Sequence, residues 1–252
     1  NFTLVHDDVM DDDDLRHGVA ACHTVYGLPT AILAGDSLFS YAFEMITESE
    51  VSDGIKAELV RHVAYTVRRI AEGQQMDINF EDEATVNTDE YLEMIRLKTS
   101  ILFGSAAYGG ALIGGASTEQ ANELRQMAIW VGLGFQIWDD YLDATAPEEV
   151  LGKPSGSDIR QGKRTLLVID TLNRATESKR TELIKILDNK NNSEEDIARA
   201  VQIMDKSGAL KHCHEEAMRY LDGAKETLRK YPEGDARSTL EELLEYMVTR
   251  GH

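Results

Sequence analysis

Along most of this chain apolar residues return every three or four positions, and nowhere do apolar and polar residues alternate strictly. A period near 3.6 gathers apolar side chains on one side of a helix, so the sequence predicts an all-α fold. Helices are expected over residues 30–49, 53–80, 88–113, 118–143, 159–173, 178–189, 193–206, 208–230 and 235–250, with Pro29, Pro147, Pro154 and Pro232 between them. Ser117 with Gln120, and Ser238 with Glu241, have the spacing at which hydroxyl and amide or carboxylate satisfy each other's free backbone donors at a helix start. Within 88–113, Gly104, Ser105, Ala106, Ala107, Gly109 and Gly110 follow Leu97, Ile101 and Leu102, which points to a closely approached, central helix. The irregular segment is Ala144 to Asp158, with Pro147, Gly152, Pro154 and Gly156. A chain of 252 residues is long enough to bury one large core, so a single domain over 1–252 is expected.

Two clusters break the helical pattern with acid. Asp7, Asp8 and Asp11 run on into Asp12, Asp13 and Asp14. On a helix Asp7 and Asp11 share a face, and such like charges repel unless a cation intervenes. A solvated charge run is the plain alternative, but Phe2, Val5 and Val9 would bury one side of this helix and hold the first carboxylates against the protein. The second cluster, Asp139-Asp140-Tyr141-Leu142-Asp143, ends the strongly apolar run from Ile129 to Trp138. Carboxylates at the C-terminal end of a buried helix oppose its dipole and lose hydration, so they too call for cations. The two clusters are expected to face one another across a bundle interior. Hard oxygen donors without histidine or thiolate select magnesium or manganese over zinc, and magnesium habitually bridges to substrate phosphates. A diphosphate is therefore the expected ligand. The spacing of acids does not fit a calcium-binding EF-hand.

Charge sharpens this picture. With 26 Lys plus Arg against 45 Asp plus Glu, the net charge is −19, which disfavours nucleic acid and anionic membranes as partners. An anionic substrate would need metal ions or a local basic pocket. Arg16 follows the first cluster, Lys98-Thr99 interrupts an apolar helix, and Gly152 to Arg164 is locally basic, resembling a glycine-hinged loop that closes over phosphate. No P-loop pattern occurs. Cys22 and Cys213 suggest neither a disulfide framework nor a thiolate zinc site, and His212-Cys213-His214 reads as packing or surface. No apolar run has membrane-spanning length and no leader is evident, so a cytoplasmic location without stable membrane insertion is the expectation.

Taken together, the motifs resemble those of the trans-isoprenyl diphosphate synthases, the polyprenyl synthetase family of farnesyl and geranylgeranyl diphosphate synthases. The first motif stands as Leu4-Val5-His6-Asp7-Asp8-Val9-Met10-Asp11 with Arg16 and Gly18, the second as Gly134-Phe135-Gln136-Ile137-Trp138-Asp139-Asp140-Tyr141-Leu142-Asp143. Ala34-Gly35-Asp36, Gly73-Gln74 with Asp77, Lys98-Thr99 and Gly152-Lys153 through Asp158 to Lys163 match in the family's order. The resemblance implies a helical bundle of the isoprenoid synthase type with a central cavity, acting as a homodimer. It implies that isopentenyl diphosphate is joined to an allylic diphosphate by magnesium-assisted ionisation. Asp7 and Asp11 would bind two magnesium ions, supported by Asp8. Asp139 would bind a third, assisted by Asp143 and Asp158. Arg16, Lys98, Thr99, Gln136, Lys153 and Lys163 would hold the allylic diphosphate.

Two departures stand out. His17 replaces the family's second arginine, at a position that would contact isopentenyl diphosphate, and weaker binding of that substrate is expected. The family's N-terminal helical segment is missing ahead of Asn1, so a longer parent protein is expected. Bulk at Phe2, with Thr3 beside it, sits where the family limits product length, and the pattern looks most like geranylgeranyl synthases. A class I terpene cyclase and a non-catalytic partner subunit are the competing readings; the intact second aspartate motif argues against both.

Overall fold

The computed structural model describes residues 1–83, 85–147, 155–189 and 191–249. These are overwhelmingly helical, as the apolar period requires, and none of the described helices is long and apolar enough to cross a membrane. Contacts divide the chain into two compact units, Asn1–Val63 and Ala64–His252.

The first unit holds α1 (Phe2–Met10), strands β1 (Leu15–Arg16) and β2 (Val19–Ala20), α2 (Cys22–Tyr26), α3 (Leu28–Glu48) and the start of α4 (Asp53–Asp82). The hairpin was not expected, because two-residue strands leave no alternation to read. It forms because His17 (φ 52°) and Gly18 (φ 76°) both take positive φ, the condition for a two-residue turn whose twist matches the strands. Helix α1 packs on α3 through Gly35: a Cβ there would collide with the His6 ring, whose Nε2 sits 3.0 Å from the Ile32 carbonyl oxygen. Phe2, Phe39 and Phe43 form an aromatic row with centroid separations of 5.0 and 5.1 Å. Val5 and Val9 are half-buried, not fully covered as expected. The buried apolar residues of this unit are Ala21, Ala31 and Leu59, while α3 exposes Leu28, Ile32, Leu33, Leu38, Tyr41 and Met45.

The second unit continues α4 and adds α5 (Thr88–Ile95), a π-helical turn (Arg96–Ser100), α6 (Ile101–Ile113) and α7 (Thr118–Thr145). After these come α8 (Ser157–Gln161), α9 (Leu166–Arg174), α10 (Glu177–Leu187), α11 (Glu194–Ser207), α12 (Ala209–Leu228) and α13 (Asp235–Thr249). Ser117 and Gln120 cap α7 reciprocally, as the sequence indicated. Ser238 and Glu241 do not cap a helix: α13 starts one turn earlier, so the Ser238 N–H donates to the Gly234 carbonyl and Glu241 accepts from Arg237. The helix expected over 159–173 is two helices, because Gly162 takes φ 77° and ends α8.

The centre of this unit is α7, with the segment over 88–113 packed closely against it as the small residues led one to expect. From Met127 to Asp143 α7 is buried at most positions, and glycines admit neighbours on two sides. A Cβ on Gly132 would lie 2.5 Å from Ser100 Cα, and one on Gly134 2.9 Å from the Ala217 carbonyl of α12. Of the small residues of α6, Gly104 and Gly109 are buried, Gly104 close against Ile129 of α7, whereas Ala106 and Gly110 are exposed and Gly110 has open space.

Gly132→Ala is expected to cost about 1–3 kcal/mol, since backbone cannot yield as a side-chain tip can. Gly110→Ala should be neutral or gain up to about 1 kcal/mol of helix propensity. Urea unfolding of the two variants, with equal losses as the contrary result, checks the assignment of the tight face.

Candidate functional site

In the first unit the acidic cluster sits where α1 stops. Asp11 caps the helix, its N–H donating to the Asp7 carbonyl at 2.8 Å, and Asp12 turns the chain with φ 55°. From β1, Arg16 reaches back into the cluster. Its Nε donates to Asp8 Oδ1 at 2.6 Å, and its Nη2 pairs with Asp8 and lies 3.8 Å from Asp7 and 3.5 Å from Asp13. Burial works against the guanidinium charge, but the Asp8 hydrogen bond and the charges of Asp8, Asp7 and Asp13 prevail and raise its pKa. Asp8, buried, is thus committed to Arg16, while Asp7 and Asp11 are half-exposed at the helix end. Phe2 and Thr3 are half-buried one turn earlier, and His17 stands exposed at the hairpin tip.

In the second unit two of the expected site residues lie on the π-helical turn. An extra residue in a helical turn shifts the register of the residues after it, and such turns recur at functional sites. Here the turn contains Lys98 and Thr99 and lies against α4 at Gly73, where a Cβ would strike the Lys98 backbone nitrogen. Lys98 Nζ donates to Asp77 Oδ2 at 2.6 Å, with both side chains largely buried. Beside it, Thr99 Oγ1 donates to Gln136 Oε1 (3.0 Å), Gln136 Nε2 donates to Asp140 Oδ1 (2.9 Å), and Tyr91 Oη donates to Asp140 Oδ2 (2.6 Å). Burial and then the Asp158 charge push the Asp140 carboxyl well above the usual range, against the Tyr91 and Gln136 hydrogen bonds; burial likewise raises Tyr91.

The other acids of the second cluster differ in environment. Asp139 is half-buried. Asp143 is buried and staples the segment beyond: Ser157 Oγ donates to its Oδ1 at 2.6 Å, the Asp158 N–H to its Oδ2 at 3.0 Å, and the Gly156 N–H to its carbonyl at 2.7 Å. The Asp158 backbone carbonyl in turn accepts the Lys163 backbone N–H at 2.9 Å. Thus Thr99, Gln136 and Asp140 are linked through their side chains, Lys98 is paired with Asp77, and Asp143, Asp158 and Lys163 are joined through backbone groups of 158 and 163, whereas Lys153 lies outside the described residues. Tyr91 was missed; it stands two helical turns before Lys98, and nothing in its neighbours marks it. The His212-Cys213-His214 run does pack as expected: Cys213 is buried, His212 Nδ1 lies 3.1 Å from Asp170, and His214 meets Trp138 and Tyr141 edge-on.

The donors suit a hard divalent cation: all are carboxylates, and within each cluster some are spent internally and others not fully buried. Among the described residues no three histidine, cysteine or acidic side chains form a closed cage, so an ion held here would keep waters or take oxygens from its ligand.

Comparison with known proteins points to one family. A family model described as polyprenyl synthetase matches residues 1–204. The short chain isoprenyl diphosphate synthase of Methanothermobacter thermautotrophicus is 43% identical over 251 residues, covering 100% of this chain and 76% of that protein. The geranylfarnesyl diphosphate synthase of Natronomonas pharaonis is 38% identical over 252 residues, covering 100% of this chain and 72% of the relative. The crystal structure of geranylgeranyl pyrophosphate synthetase from Pyrococcus horikoshii Ot3 is similar with a TM-score of 0.93 at 39% identity, over 99% of this chain and 76% of that one.

Asp143→Ala removes the acceptor of two hydrogen bonds that hold 157–158 to α7. Amide exchange at Asp158 is expected to quicken by about tenfold or more, one net hydrogen bond being worth about 1 kcal/mol and a charged acceptor more. Unchanged protection would mean the staple contributes nothing.

Proposed function

The chain belongs to the polyprenyl synthetase family, and we propose that it joins an allylic diphosphate to isopentenyl diphosphate, giving a short all-trans prenyl diphosphate, specifically geranylgeranyl diphosphate. The observation that carries the reading is what the π-helical turn presents: a largely buried lysine paired with Asp77, and beside it a hydroxyl bonded to an amide that is itself bonded to Asp140 at the acidic end of α7. An acidic protein concentrates such groups where an anion must be held against its own field.

In this reading the ionisation needs no protein nucleophile; what it needs is stabilisation of the negative charge that grows on the departing diphosphate. Magnesium supplies cationic charge for that purpose when bound. Three ions are expected: Asp7 and Asp11 would hold two with Asp8 in support, and Asp139 the third with Asp143 and Asp158 assisting. Arg16, Lys98, Thr99, Gln136, Lys153 and Lys163 would bind the diphosphate oxygens, and His17 would give isopentenyl diphosphate a weaker hold than arginine. Asp8 serves by keeping Arg16 charged and in place. The aromatic row from Phe2 to Phe43 would set the length at which the growing chain stops.

The reading includes a cytoplasmic homodimer. A unit whose buried apolar residues are Ala21, Ala31 and Leu59 has little core of its own, and contiguous exposed apolar residues mark interaction surfaces. A second copy covering Leu33, Tyr41 and Met45 of α3 would supply the missing burial.

Purified protein given magnesium, isopentenyl diphosphate and each of dimethylallyl, geranyl and farnesyl diphosphate should release geranylgeranyl diphosphate. Asp7→Ala and Asp139→Ala should each lower kcat by about 10² or more, and Phe2→Ala should lengthen the product. Cyclic hydrocarbons, or no turnover with any primer, would overturn the reading; an unchanged product with Phe2→Ala would remove only Phe2. Light scattering should give twice the chain mass, reduced to the monomer by Tyr41→Asp; a monomer in the unaltered protein would exclude the dimer.

A further inference from the structure

Asp140 is 7% exposed and Tyr91 1%, and they meet across 49 residues of sequence. Each oxygen of Asp140 accepts one hydrogen bond in this structure, Oδ2 from Tyr91 and Oδ1 from Gln136. Asp140 is therefore poorly placed to ligate an ion. Its acceptor character has a further effect on Gln136. The amide must turn its NH2 toward Asp140, so its Oε1 faces the other way, and there the Thr99 hydroxyl donates to it. With one amide proton on Asp140, the second is the one available to an oxyanion. A flipped amide would present oxygen to that anion instead, and the contact would become repulsive.

We propose that Tyr91 is a positioning residue for diphosphate binding: through Asp140 it fixes the orientation of the Gln136 amide, and with it Thr99. Without the tyrosine hydroxyl, buried Asp140 lacks a donor for Oδ2 and can draw the second Gln136 proton inward, away from the ligand. The inference rests on the proposed function, in which Gln136 contacts the allylic diphosphate. It assigns Asp140 to orientation and leaves Asp139 as the ion-binding acid of the pair.

The test is calorimetric titration of inorganic diphosphate into the intact chain at saturating magnesium. Tyr91→Phe should bind about tenfold more weakly, the effect of one buried hydrogen bond to a charged group. Asp140→Asn should stay within about threefold of the unaltered chain: its oxygen still accepts from Gln136 and its NH2 can donate to Tyr91 Oη, which also accepts. Tyr231→Phe, which removes a tyrosine–carboxylate bond to Glu123 elsewhere in the second unit, should bind normally. In a Gln136→Ala background, Tyr91→Phe should cost less than about twofold, because residues acting as one chain are not additive. Full affinity in Tyr91→Phe, or an undiminished loss in the Gln136→Ala background, would overturn the proposal while leaving the functional reading intact. No diphosphate binding by the unaltered chain would sink that reading and this one with it. If Tyr91→Phe fails to fold, Asp140→Asn set against Asp140→Ala decides: the proposal requires asparagine tolerated and alanine about tenfold weaker, and equal losses overturn it.

Discussion

A carboxylate taken out of water must find donors or cations, and in this chain that requirement organises everything around the chemistry. Asp8, Asp140 and Asp143 are all buried, and each meets the demand inside the protein. Arg16 answers Asp8, Tyr91 and Gln136 answer Asp140, and Ser157 with the Asp158 amide answers Asp143. The partners are as much a product of this requirement as the acids are. A hairpin too short to have a core of its own is tied to α1 by Arg16, and the segment after α7 is tied to that helix by Asp143. Within each cluster the acids consequently divide. Buried members hold other groups in position, while Asp7, Asp11 and Asp139, less enclosed, are the members suited to a cation.

Close backbone approach is the second device. Gly73 and Gly132 let α4 and α7 come against the π-helical turn from two directions, and that turn presents Lys98 and Thr99. A regular helix over 88–113 would set these two residues in a different register against α7, and the Thr99–Gln136 bond depends on the register found. Local irregularity in an otherwise regular helix is held in place by packing that only glycine permits.

The sequence by itself determined the helical class, most helix boundaries to within a few residues, the Ser117 cap and the identity of the chemical groups. These are local matters: a 3.6-residue apolar period, a capping spacing and dense acid beside apolar runs are written in consecutive residues. Through motifs that resemble a known family it also singled out Lys98, Gln136 and Asp143, which the fold places at or near the acidic end of α7 and the π-helical turn. What tertiary structure alone decided was the division of labour. Asp139 and Asp140 are neighbours of the same type; the resemblance gave an ion to Asp139, but the difference in burial and the Tyr91 bond to Asp140 are visible only in the fold. Tyr91 lies 49 residues away and looks like any core aromatic. The break at Gly162, the hairpin at His17-Gly18 and the partners of Ser238 and Glu241 were likewise settled by backbone conformation and neighbours. The physical reason is common to all of them: burial and hydrogen-bond partnership belong to pairs of residues brought together in space, and a linear pattern records only one member at a time.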